Sequence, residues 1–217
     1  MEKIDSRLIQ SVILLDRQYA LIEHLINAQG HVLKDFEYVV EKNEQALSHV
    51  LDVYNYVFAL IDHLDRYRKI ALSIPKLNQK SVEYRALINS MGELKDVRDQ
   101  IQHINNDIEN EYTGPLLGSI FWISGTKQFI AMFHDVGRKR SAPGAIFDTR
   151  TGKYVHNFCY VYNDKYHDLE KAIDGVKSFN IYLNSIIKIQ IADKDYNIKD
   201  HFSAMWMEFR FPQPPNL

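Results

Sequence analysis

The sequence predicts a mainly α fold of the α+β kind: an antiparallel helical bundle with a small antiparallel β-sheet inserted before the last long helix. Three observations carry this expectation. The first hundred residues repeat apolar side chains at alternating spacings of three and four, the period of helices that bury one face. Residues 119–162 break that rhythm into short β-prone runs separated by turn residues. The helical rhythm then returns at Leu169, Ala172, Ile173, Val176, Phe179, Leu183 and Ile186.

Each element has its own local signal. Leu8, Val12, Leu15, Tyr19, Ile22 and Ile26 form one apolar stripe. Asn27-Ala28-Gln29-Gly30 then predicts a stop, because glycine accepts the left-handed conformation that follows many helix ends. The second helix is the clearest, with Ala46, Val50, Val53, Val57, Leu60, Leu64, Tyr67 and Ala71 on one line. Leu47, Leu51, Tyr54, Phe58 and Ile61 widen the line into a face too broad for a two-stranded coiled coil. Pro75 ends it by removing a backbone donor and restricting the residue before it. A third helix is predicted from near Ser81 to about Asn110, with Leu87, Leu94, Val97, Ile101, Ile104 and Ile108 facing the core. Gly114-Pro115 closes it.

Two hairpins follow. Ser119–Ile123 and Gln128–Phe133 flank Ser124-Gly125-Thr126-Lys127, and Ala145–Asp148 and Tyr154–Tyr162 flank Thr149-Arg150-Thr151-Gly152. Ala204–Phe211 reads as a last strand in the tail. The expected organisation is a bundle built from 1–115 and 164–189, an inserted sheet at 116–163 and a tail at 190–217.

Composition narrows the classes of function. A chain of 217 residues suits one large domain, or one domain with an insertion. Hydrophobic content of 46% and charged content of 25% are those of a globular protein, not a disordered one. The lone cysteine, Cys159, cannot close an internal disulfide, and no apolar signal region follows the charged opening Met1–Asp5. Both point to a cytoplasmic protein. No run approaches the roughly 18–20 apolar residues of a membrane helix, so no membrane partner is expected. A net charge of −2 means that any nucleic-acid site is local. There is no Glu-x-x-His pair, no His-Glu-x-x-His, no phosphate-cradling glycine loop and no nucleophile elbow, so neither a metal nor a cofactor is expected. Cys159 alternates inward on an aromatic strand and reads as core.

One segment suggests chemistry. Arg98, Asp99, Gln102, His103 and Asn106 share a polar face of the predicted third helix. Asp99 and His103 are four apart, the spacing at which a carboxylate fixes an imidazole tautomer. Arg98-Asp99-Gln100-Ile101-Gln102-His103 resembles the motif of the HEPN family, the helical "higher eukaryotes and prokaryotes nucleotide-binding" domains. Those carry an arginine, often a polar residue next, and a histidine after four to six intervening positions. Two other arginine–histidine pairs have similar spacing, but Arg17 is followed by Gln18, and Arg150 and His156 fall in a hairpin.

The resemblance covers the helical portion, roughly 1–115 and 164–189. It implies an RNA- or nucleotide-binding protein, a homodimer with facing motifs and, in active members, a metal-independent ribonuclease. His103 would then act as general acid or base, Arg98 would bind the scissile phosphate, and Asp99 would orient a partner side chain. Asn105 stands where a common toxin variant of the family carries tyrosine, which argues against a toxin role.

Other residues could complete such a site. Asp62 and His63 on the second helix are placed to supply polar groups to a bundle cleft, and Arg138-Lys139-Arg140 forms a basic loop suited to an RNA backbone. Tyr154, Phe158, Tyr160 and Tyr162 share a strand face that would either stack bases or pack on the bundle. The alternative function is a non-catalytic interaction or scaffold protein that uses the inserted sheet to hold a partner.

Overall fold

The computed structural model of the protein describes residues 6–42, 47–75, 77–92, 94–102, 117–133, 146–162 and 165–191. Helix α1 (Ser6–Glu41) runs straight through Gly30, where a stop was expected. The reason is the apolar stripe beyond the glycine: Leu33, Phe36 and Val39 are all buried. Their burial outweighs the roughly 1 kcal/mol that a glycine costs inside a helix. Helix α2 (Leu47–Ser73) folds back along α1 and supplies the centre of the core, with Val53, Val57, Leu60, Leu64, Tyr67 and Ala71 almost fully buried. It ends just ahead of Pro75, as its sequence predicts.

The expected third helix is two helices. Helix α3 (Val82–Met91) begins at Ser81, whose hydroxyl accepts the Tyr84 amide at 3.2 Å. It stops at Gly92, which lies at φ +46°, and α4 (Leu94–Gln102) follows as a separate helix. Leu87, Leu94 and Val97 are buried as expected. The remainder of the predicted helix, including His103, Ile104 and Ile108, lies outside the described residues.

The sheet follows the first predicted hairpin closely. Strands β1 (Ser119–Ser124) and β2 (Lys127–Met132) pair antiparallel around Gly125-Thr126. Strands β3 (Ile146–Asp148) and β4 (Lys153–Val155) form a separate two-stranded ribbon. The long run expected from Tyr154 to Tyr162 is interrupted at His156, a non-glycine residue at φ +68°, and resumes as β5 (Phe158–Tyr162). The last bundle helix, expected from 164, begins later. Residues Lys165–Asp168 form β6 on the far side of β5, and helix α5 (Leu169–Ile191) starts where Asp168 caps it, accepting the Lys171 amide at 2.9 Å. The main sheet is therefore antiparallel in the order β2-β1-β5-β6. The predicted strand at Ala204–Phe211 lies outside the described residues.

Sheet and bundle share one core. Ile120, Trp122, Phe129, Ala131, Phe158, Tyr160 and Tyr162 join the cluster formed by α1, α2 and α5. Phe158, Tyr160 and Tyr162 are thus spent on packing, with Tyr56 of α2 stacked on Phe158, and are not a platform for bases. Polar pins set the sheet in place. Glu37 of α1 accepts the Trp122 indole N–H at 2.8 Å and the Ser124 hydroxyl at 3.0 Å, and Tyr54 of α2 donates to the Gly118 carbonyl at 2.7 Å. The opposite sheet face carries a smaller cluster of Phe121, Cys159 and Val161, flanked by Ile130 and Tyr166. No described helix is long and apolar enough to cross a membrane.

Candidate functional site

Arg98 lies one position after the buried Val97 on α4, which turns its side chain toward α2. There it meets two carboxylates one helical turn apart. Its Nε donates to Asp62 Oδ1 at 2.9 Å, and its Nη1 lies 3.5 Å from Asp65 Oδ2. Asp65 has no exposed surface. A buried carboxylate without partners would cost several kcal/mol, and α2 supplies the partners at helical spacing. Arg68 donates to Oδ1 at 2.7 Å, and Lys69 reaches Oδ2 at 2.8 Å. Burial alone would raise the Asp65 pKa, but the hydrogen bonds from Lys69 and Arg68 outweigh it and hold the carboxyl below its ordinary value. On the outer edge, Arg66 pairs with Asp62 at 2.7 Å.

This network has a definite electrostatic sense. Among the described residues, two carboxylates, Asp62 and Asp65, face four cations, Arg66, Arg68, Lys69 and Arg98, so these six side chains together carry a formal surplus of two positive charges. Arg98 retains 22% of its side-chain surface, and among the described residues only Asp62 and Asp65 pair with it. Among the described residues, Asp62 and Asp65 engage Nε and Nη1, which leaves Nη2 as the guanidinium group to meet an incoming anion.

The residues predicted around Arg98 divide clearly. Asp62 contacts it directly, and Asp65, which sequence reasoning did not single out, anchors it from below. Asp99 is half-buried next to it on α4. His63 turns away, toward α1. The Gln18 side-chain amide donates to His63 Nδ1 at 2.6 Å and to the His63 carbonyl at 3.0 Å. The second bond orients the amide with its NH2 toward the ring, so Nδ1 accepts and the imidazole is neutral with its proton on Nε2. Burial lowers the His63 pKa, more than nearby Asp62 raises it, and Arg66 lowers it further. The unfolded chain therefore takes up a proton that the folded chain resists. Stability is full above the unfolded imidazole value of about 6.5 and declines as pH falls from there to the lower folded pKa. Urea midpoints measured on both sides of this window should show that slope, and a His63→Asn variant should flatten it. His103 and the basic run Arg138-Lys139-Arg140 lie outside the described residues.

A second polar group forms on the sheet face turned away from the bundle. His156, Cys159 and Asp168 bring one nitrogen, one sulfur and one carboxylate oxygen to within 4.8 Å of one another. The fold achieves this in two steps: β5–β6 register places Cys159 directly opposite Asp168, and the left-handed His156 turns its ring back beside them. His156 Nδ1 lies 3.2 Å from Asp168 Oδ2, and the ring stacks on Tyr166 at 5.7 Å. The Cys159 thiol is fully buried, and burial, with Asp168 and Glu170 nearby, pushes its pKa far above the ordinary range. It cannot serve as a nucleophile. The His-x-x-Cys spacing of 156 and 159 was visible in the sequence, but assigning Asp168 to the interior of a helix hid the third member.

The described residues also form a partly open cleft of about 220 Å³ between α1, the end of β1 and α5, lined in part by Gln29, Trp122, Phe158, Glu170, Asp174 and Lys177. It is smaller than the roughly 300 Å³ at which small-molecule sites begin, and its two acids outnumber its one lysine, the wrong balance for a phosphate. Arg98 is not part of it. The chain matches no family model, no curated protein and no solved structure.

Proposed function

We propose that this protein is a HEPN-like protein that binds RNA or a nucleotide through phosphate contacts at the α2–α4 cluster centred on Arg98. It works as a homodimer in which His103 serves as general acid or base for metal-independent RNA cleavage. The observation that carries the reading is the anchoring of Arg98 by Asp62 and Asp65, in a network with two surplus positive charges. A guanidinium already held by two carboxylates loses little side-chain entropy when it takes up a phosphate, and its fixed donors suit the charge that develops during phosphoryl transfer.

The chemistry that this reading assigns is modest in its demands. A base removes the proton of a ribose 2′-hydroxyl, the oxygen attacks the adjacent phosphorus, and the departing 5′-oxygen takes a proton from an acid. An imidazole with a pKa near 6.5 can fill either role at neutral pH, and Arg98 would offset the charge on the phosphoryl oxygens.

Fluorescence anisotropy with a short single-stranded RNA tests the binding. Arg98→Ala should weaken affinity at least about tenfold and flatten the salt dependence by about one phosphate contact. Incubation with mixed RNA in EDTA tests the cleavage. If an Arg98→Ala/His103→Ala variant degrades RNA as fast as the parent protein, the ribonuclease assignment fails. Light scattering then checks the dimer.

A further inference from the structure

We propose that His156, Cys159 and Asp168 form a binding site for a zinc-class divalent ion that ties together β5, β6 and the N-terminus of α5. The three residues share nothing with the Arg98 cluster, so the proposal stands independently of the RNA reading.

The geometry suits the ion. At zinc bond lengths of about 2.0–2.1 Å, a nitrogen and an oxygen on adjacent tetrahedral positions sit about 3.3 Å apart. His156 Nδ1 and Asp168 Oδ2 are 3.2 Å apart. The sulfur lies within 4.8 Å of both. A sulfur–nitrogen edge of about 3.6 Å at a zinc centre requires only a side-chain adjustment to close the difference. The donor set is selective in type. A thiolate with an imidazole and a single carboxylate favours zinc or cobalt over magnesium and calcium, which require oxygen ligands.

The carboxylate is divided for two tasks. Asp168 Oδ1 accepts the Lys171 amide and caps α5, while Oδ2 faces His156. An ion on Oδ2 leaves the cap intact. Access is also arranged correctly, since Cys159 is buried at the floor while His156 and Asp168 keep about a quarter of their side chains exposed at the rim. That opening leaves a fourth position for water. Binding converts the thiol into a thiolate, and its proton passes to solvent as the metal–sulfur bond forms. The backbone of His156 fits the same picture, because a left-handed histidine is held only where its surroundings fix it.

Cobalt titration of the full chain, stripped with EDTA and dialysed, tests the site. The parent protein should develop a thiolate-to-cobalt charge-transfer band in the near ultraviolet together with intense tetrahedral visible bands, and zinc should displace both. Cys159→Ser should abolish the charge-transfer band. His156→Asn, which tolerates the left-handed backbone, and Asp168→Asn, which retains a capping oxygen, should each weaken cobalt binding at least about tenfold. Absence of the charge-transfer band from the parent protein overturns the proposal. So does equal zinc-induced thermal stabilisation of parent, His156→Asn and Asp168→Asn. Because those two variants keep the helix cap and the backbone fit, either result stands even if Cys159→Ser fails to fold.

Discussion

Replacing Asp65 with alanine should destabilise the protein by about 3 kcal/mol, the range for removing one partner of a buried ion pair. Asp65 is fully buried and receives Arg68, Lys69 and Arg98 at 2.7, 2.8 and 3.5 Å. Lys69 is half-exposed and can turn to solvent, but Arg68 and Arg98 are largely covered and would be left partly desolvated. For a chain of this size the loss corresponds to roughly 6–12 °C in melting temperature. Asp65→Asn keeps the shape and part of the hydrogen bonding, so it should fall between the parent and alanine. The two variants also test linkage to pH. The folded carboxyl is held below its ordinary value, so its contribution is complete above the unfolded pKa of about 4 and is lost as pH falls through the folded one. Acid titration followed by circular dichroism should show a shallower loss in Asp65→Asn than in the parent. If RNA binds at Arg98, Asp65→Asn should weaken it as well, because the guanidinium loses one of its two anchors.

Gly175→Ala should be the most damaging single methyl addition within the described helices. Gly175 of α5 faces Ser90 of α3, and a β-carbon built there would lie 1.8 Å from the Ser90 hydroxyl oxygen and 2.6 Å from its β-carbon. Turning the hydroxyl away does not remove the second clash, so the helices must separate. Overpacking of this kind costs about 1–3 kcal/mol, partly masked by the gain of about 1 kcal/mol when alanine replaces glycine in a helix. The double variant Ser90→Gly/Gly175→Ala removes both clashing atoms and leaves only an ordinary 3.9 Å contact to the Leu87 α-carbon. Chemical denaturation should therefore show a strongly favourable coupling between the two sites. Additive losses would mean that α3 and α5 do not meet at this point.

The same contact shows why local sequence signals mislead. Gly30 and Gly175 look alike in a helical pattern. Gly30 has nothing near its missing side chain and sits in α1 without consequence, whereas Gly175 sets how closely two helices approach. Gly92, by contrast, does stop a helix, because the chain turns there into the left-handed region. Nothing in a one-dimensional pattern separates these cases. The answer depends on whether apolar residues beyond the glycine have a surface to bury against, and that surface belongs to other elements.

Local sequence signals by themselves determined the fold class, the course of α2, a helix start near Ser81, the β1–β2 hairpin and the return to helix at Leu169. Each of these rests on interactions between residues close in the chain, or on an apolar stripe that any core would bury. Tertiary structure alone decided the continuation of α1 through Gly30, the split of α3 from α4, the strand β6 and the use of the aromatic strand as core. It also decided the chemistry within reach. Arg98 stood out in the sequence, but its pairing with Asp62 and Asp65 depends on α4 packing against α2. His63, its neighbour in sequence to Asp62, is claimed instead by Gln18 of α1. His156, Cys159 and Asp168 converge only through strand register and one left-handed residue. Side-chain charge and backbone period are local properties, whereas the partner that a buried polar group finds is settled by the packing of the whole chain.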